Sequence, residues 1–209
     1  MKLRFPGCID FVRDRTIGKF IGESLIVLRI FQQIKDSFWR TGTSTDSKST
    51  QYNAKQHRLI HWVIPGKLAI GGLPRSEQGK EMTQNGIKVL LSLCDETEGA
   101  LPPSFEQQFL CLRFVLPDSH YARALKVEQL VEVVNLVHQT IQRQQPLYVH
   151  CLAGIERSPT VCIAYLCQYY NLELWEAINW IKQAHPISTP STAQIRVLRE
   201  FVNQCCKVA

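Results

Sequence analysis

Nowhere in these 209 residues does an apolar run reach the length of a membrane-spanning helix. The most apolar window, Ile17 to Ile34, is broken by Lys19, Glu23 and Arg29, whereas spanning takes about 18 to 20 uninterrupted apolar residues. Met1 to Cys8 lacks an apolar h-region and no small-residue cleavage site follows, so no secretory leader is expected. Eight cysteines occur without a single C-x-x-C pair, and several lie inside strongly apolar stretches. That argues against a zinc site or a disulfide framework and for a reducing, cytoplasmic setting, with adjacent Cys205 and Cys206 read as helix-end residues of no assigned role. There is no internal repeat. Net charge is also scarce outside one segment: residues 1–56 carry ten Lys/Arg against five Asp/Glu, which leaves fourteen against thirteen for the rest. A domain so nearly neutral is not expected to bind nucleic acid.

What is present is enough for a core. At 45% apolar residues, disorder throughout is excluded, and the length allows one ordinary domain plus an extension. Residues 16–40 read as an amphipathic helix whose polar stripe holds Gly22, Arg29, Gln33, Asp36 and Arg40. Its other face, with Phe20, Leu28, Phe31 and Trp39 among others, must dock on something: the main domain, a membrane surface or a partner. Thr41 to Thr50 has no apolar residue and much Ser/Thr, as a flexible connector does. The boundary is therefore placed near residue 56, giving a basic extension over 1–56 and a domain over 57–209.

Beyond it, apolar runs alternate with helical patterns. Lys67 to Gly72 reads as a short strand ending in a turn, Lys88 to Cys94 as a buried strand after the Asn85-Gly86 turn, and Leu110 to Leu116 as a strand stopped by Pro117. Leu125 to Gln145 has apolar residues at 127, 130, 131, 134, 137 and 141, one helix face, and Pro146 ends it. Leu147 to His150 is a strand, a buried helix starts around Pro159, and two more helices fit 172–184 and 191–204. This alternation predicts an α/β fold, a mostly parallel sheet of four or five strands covered by helices on both faces.

The chemistry concentrates in His150-Cys151-Leu152-Ala153-Gly154-Ile155-Glu156-Arg157-Ser158. A strand, a short loop and a helix start put Cys151 at the carboxyl end of a strand, where open α/β sheets build their sites. The amides of Leu152, Ala153, Gly154, Ile155, Glu156 and Arg157 can turn inward around an anion, with Gly154 free to take a positive φ and the helix N-terminus behind them. An ordinary thiol is only a few per cent ionised at neutral pH, and such a cradle favours the thiolate. Arg157 can grip two phosphoryl oxygens in a fork, a geometry lysine lacks. Ser158 can donate its hydroxyl to the sulfur, and His150 is suited to ordering the loop through its ring nitrogens. A lone buried Cys is usually inert packing. His immediately before it, Gly three after, Arg six after and Ser seven after bring the chance expectation to about 10⁻⁴.

The stretch resembles the signature H-C-x-x-G-x-x-R-[ST] of the cysteine-dependent protein tyrosine phosphatase superfamily, over about residues 60–204. The dual-specificity branch fits best: the domain is short, and nothing corresponds to the aromatic recognition loop of the longer tyrosine-specific enzymes. The resemblance implies that Cys151 attacks phosphorus, that Arg157 and the loop amides hold the oxygens, and that an aspartate about thirty residues upstream protonates the leaving group. Asp118 in "VLPDSH", 33 residues before Cys151, fits that place, and Asp95 in "SLCDE" is the runner-up. Gln194 is the counterpart expected to position the hydrolytic water. The side chain of Glu156 should point outward and disfavour highly charged substrates. The implied activity is metal-independent, cofactor-free hydrolysis of phosphotyrosine and phosphoserine or phosphothreonine in protein. A phosphorylated carbohydrate or lipid as substrate, or phosphate recognition without turnover, are the alternatives. Whether Cys94, Cys111 or another thiol protects Cys151 through a disulfide stays open.

Overall fold

A computed structural model of the chain describes residues 60–118 and 124–206; the helix expected over 16–40, the connector over 41–50 and the boundary near 56 lie outside them. Five strands form one sheet: β1 (His61–Ile64), β2 (Leu68–Gly71), β3 (Val89–Ser92), β4 (Leu110–Arg113) and β5 (Leu147–His150). Their order is β1-β2-β5-β3-β4, with β1 antiparallel to β2 and every other pair parallel. The helices are α1 (Gly79–Gln84), α2 (Val127–Gln142), α3 (Arg157–Tyr170), α4 (Leu174–Ala184) and α5 (Thr192–Cys205). The expected α/β architecture is thus what the chain adopts. The antiparallel edge strand β1 was not foreseen, because His61-Trp62-Val63-Ile64 has no alternation and its partner residues lie across a three-residue turn.

Alternation along the strands sorts the core into two layers. Leu68, Ile70, Val89, Leu91, Leu147 and Val149 point to one face and pack with α2, α3, α4 and α5. Ala69, Leu90 and Tyr148 point to the other and meet Met82 of α1 with Phe105 and Phe109. The central α3 is apolar on nearly all sides and is buried from Arg157 through Cys167, as a helix enclosed by a sheet and three neighbours must be. Helix ends differ from the sequence reading for local reasons. α2 stops at Gln142 because Gln144 turns left-handed at φ 56°, and α3 ends at Asn171, φ 51°, a left-handed cap. Its start, two residues before Pro159, leaves that proline in the first turn, where its missing N–H costs nothing.

The register does the positioning. Gly71, His150 and Ser92 are paired across three adjacent strands, so the segments that leave β2, β5 and β3 emerge side by side at one sheet edge. Leu91 sits fully buried at the middle of this arrangement. Leu91→Ala should lower unfolding stability by about 2–5 kcal/mol in urea titration with the slope unchanged.

Candidate functional site

Cys151 follows the last residue of β5 and is 3% exposed. The chain then turns through Gly154 at φ +73°, a conformation that suits glycine alone here. A Cβ at Gly154 would lie 2.7 Å from Gly71 C and Gly72 N, both main-chain atoms that cannot step aside. Gly154 N–H donates to Cys151 Sγ at 3.2 Å. The loop carbonyls are tied back from outside: Leu152 O by Leu73 N–H at 3.1 Å, Ile155 O by Thr189 N–H at 2.7 Å, and Glu156 O by Thr160 N–H at 3.0 Å. His185 Nε2 lies 3.0 Å from Gly154 O. In a trans peptide the N–H points opposite to the carbonyl, so the amides of Ala153, Ile155, Glu156 and Arg157 face inward. The sulfur and these amides open onto a cleft of about 400 Å³ lined by Asp118, Leu152, Ala153, Ile155, Glu156 and Arg157.

Arg157 is 4% exposed, and a guanidinium so buried needs partners. It has two carboxylates. Glu98 takes both ends of the fork, Nη1–H to Oε1 at 3.1 Å and Nη2–H to Oε2 at 2.7 Å, and Asp118 Oδ2 accepts from Nη2 at 2.9 Å. Leu116 O accepts from Nη1 at 3.4 Å. The guanidinium holds the Glu98 carboxyl below the usual glutamate range. Glu98 escaped the sequence reading. It lies in "SLCDETEG" with two other acidic residues, Asp95 and Glu96, and nothing in their spacing singles it out. The runner-up acid Asp95 is instead a turn residue: it is exposed, and its Oδ1 accepts from Thr97 N–H and Oγ1–H at 2.9 and 2.7 Å.

Two further expected site residues have other hydrogen-bond partners. Gln194 is a helix cap and not among the residues lining the cleft: its Oε1 accepts from Ser191 N–H at 2.8 Å and its own N–H donates to Ser191 Oγ at 3.3 Å. The capping box S-x-x-Q explains why a glutamine stands there. Ser158 Oγ is 3.5 Å from Cys151 Sγ but donates to Gly71 O at 3.1 Å, so its one hydrogen has two acceptors and must rotate to reach the sulfur. His150 places Nδ1 3.4 Å from Cys151 O, a long contact, and its buried Nε2 has no partner among the described residues. Glu156 is half-buried at the rim of the cleft.

Residues 70–204 match the family described as Dual specificity phosphatase, catalytic domain. The chain belongs to that family, a branch of the cysteine-dependent protein tyrosine phosphatase superfamily. It is 39% identical over 72 residues to dual specificity protein phosphatase 14 of Mus musculus, covering 34% of this chain and 36% of that one. It is 24% identical over 155 residues to the phosphatidylglycerophosphate phosphatase PTPMT1 of Arabidopsis thaliana, covering 72% and 46%. The chain thus spans less than half the length of these relatives. The solved structure of Tk-PTP in its active form shares the fold, with TM-score 0.62 and 22% identity over 71% of this chain and 99% of that one.

The described cysteines are all free thiols. Burial pushes Cys94 and Cys167 up to about 12 and raises Cys111, Cys162, Cys205 and Cys206 as well. Only Cys151 has an amide on its sulfur within a cleft. Iodoacetamide at pH 6.5 should therefore alkylate Cys151 ahead of every other described cysteine, read by peptide mass spectrometry, and inorganic phosphate should slow the reaction. Burial also depresses His150 and His185 to about 4. Their unfolded rings protonate near pH 6.5, so between pH 6.5 and 4 the unfolded chain binds more protons, and stability present above that window is lost as pH falls through it. The loss should be roughly 3 kcal/mol for each ring and roughly 6 kcal/mol in sum, seen as a Tm fall of about 15 °C between pH 7 and 4.

Proposed function

We propose that this chain is a dual-specificity type phosphatase that acts on phosphorylated protein through a cysteinyl-phosphate. The convergence of the Cys151 sulfur, inward amides and the Arg157 guanidinium in one cleft carries the reading. The phosphoryl dianion enters along the guanidinium side that Asp118 occupies, while Glu98 keeps its grip on the end of the fork. Asp118, released from the cation, takes up a proton. Cys151 Sγ⁻ then forms the S–P bond, the ester P–O bond breaks, and the leaving oxygen receives the proton of Asp118. Water next attacks phosphorus, Asp118 accepts its proton, and the S–P bond breaks to release inorganic phosphate. Ser158, its hydroxyl turned to the sulfur, eases that departure. No step calls for a metal or cofactor. Residues 57–209 are the catalytic unit of this reading, residues 1–56 a basic extension, and a reducing cytoplasm the compartment that keeps the thiol usable.

The wall of the cleft supports the substrate class. Leu152, Ala153, Ile155 and Glu156 line it, and Arg157 is the only cation among the described residues that do, which suits one phosphoryl group and disfavours several. A phosphorylated lipid is the second reading. Leu152 and Ile155 remain 45% and 39% exposed at the rim, and one relative bears the name of a phosphatidylglycerophosphate phosphatase.

One purified sample, assayed with EDTA on p-nitrophenyl phosphate, phosphotyrosine and phosphothreonine peptides and phosphatidylglycerophosphate micelles, tests both. Peptide turnover should exceed lipid turnover, Cys151→Ser should abolish activity, and Asp118→Asn should lower kcat roughly 10²- to 10⁴-fold. Activity surviving in Cys151→Ser would overturn the mechanism, and lipid turnover tenfold above peptide turnover would replace the substrate.

A further inference from the structure

Main-chain amides hold the carbonyls of Leu152, Ile155 and Glu156 outward, the last with a second bond from Thr160 Oγ1–H at 2.8 Å. Gly154 O is held by a side chain and, among the described residues, by no amide. His185, the residue after α4, is 4% exposed and sets Nε2 3.0 Å from Gly154 O. A carbonyl only accepts, so the hydrogen must be on Nε2. A neutral ring then leaves Nδ1 bare, and Nδ1 is indeed buried without a partner among the described residues. His61 of β1 braces the ring from behind. Its own ring lies 4.5 Å away at 64°, edge against face, and its Nδ1 is 2.9 Å from Ala184 O, the carbonyl adjoining His185. A line of support therefore runs from the edge strand through two histidines to the apex of the phosphate cradle.

We propose that His185 is a positioning residue of the cradle: by donating Nε2–H to Gly154 O it holds the Gly154–Ile155 peptide with the Ile155 amide facing the anion. This rests on the phosphatase reading above. The tether matters most at this peptide because Gly154, at φ +73°, is the loop residue with the greatest backbone freedom. Rotation of the released peptide would turn a carbonyl oxygen toward the thiolate and the phosphoryl oxygens, replacing a donor by a repelling acceptor. Burial and the neighbouring His61 keep the His185 ring neutral at physiological pH, so the tether is a neutral N–H donor throughout that range.

The test compares His185→Leu with His185→Gln, whose amide N–H extends to the same place as Nε2–H. His185→Leu should lower kcat/KM for p-nitrophenyl phosphate roughly tenfold to a hundredfold, below the 10²- to 10³-fold seen when an oxyanion donor is deleted outright. The inhibition constant of orthovanadate should weaken by the same factor, and His185→Gln should recover most of both. In the unaltered protein, ¹⁵N NMR should show His185 as the neutral Nε2–H tautomer at pH 7. A folded His185→Leu with unchanged vanadate affinity, equal impairment of the two folded variants, or an Nδ1–H tautomer would each overturn the proposal. The tautomer decides even if a variant fails to fold. Were the unaltered protein to turn over no ester, the phosphatase reading would fall, while vanadate affinity and the tautomer would still judge His185.

Discussion

A single buried cation organises this site. Removing a guanidinium from water costs several kcal/mol unless its hydrogens are met by acceptors, and Arg157, at the first turn of α3, meets carboxylates from two other segments of the chain. Glu98 arrives from the segment after β3 and Asp118 from the segment after β4. Each segment is thereby tied to the cradle by an ion pair with the same guanidinium. The parallel register makes this geometrically cheap, because β2, β5 and β3 end at the same level and deliver their following loops to one edge.

The two carboxylates have different parts to play. Glu98 engages both terminal nitrogens as a bidentate counter-ion, which fixes the direction of the planar fork. Asp118 pairs through Oδ2 with Nη2, the nitrogen that would also face an incoming phosphoryl oxygen. On the mechanism proposed above, substrate entry would exchange one negative partner of Arg157 for another and free the Asp118 carboxyl near the leaving oxygen when a proton donor is required.

Much of this was legible in the sequence. The spacing in "HCLAGIERS" pointed to the cleft's sulfur, its flexible glycine and the guanidinium together, since strand, loop and helix are contiguous there and local chemistry suffices. The apolar runs gave the parallel strands because a sheet buried on both faces leaves a plain signature. What escaped notice depends on tertiary proximity. Glu98 differs from Asp95 and Glu96 only in which way the turn aims it, and that turn is set by Asp95 itself bonding to Thr97. His185 looks like the end of a helix until β1 and the loop are folded against it. Gln194 misled because family likeness suggested a role where a capping box already accounts for the residue.

The outward tethers of the loop have a bearing on protein engineering. Leu73, Thr189 and His185 belong to segments far from the signature in the chain, yet they determine which way its peptides face. Grafting the nine signature residues between a strand and a helix of an unrelated scaffold would carry over the sulfur and the arginine without the outside scaffolding. Such a transplant would gain a binding groove of indeterminate polarity, and a designer would need to transfer the three anchors as well.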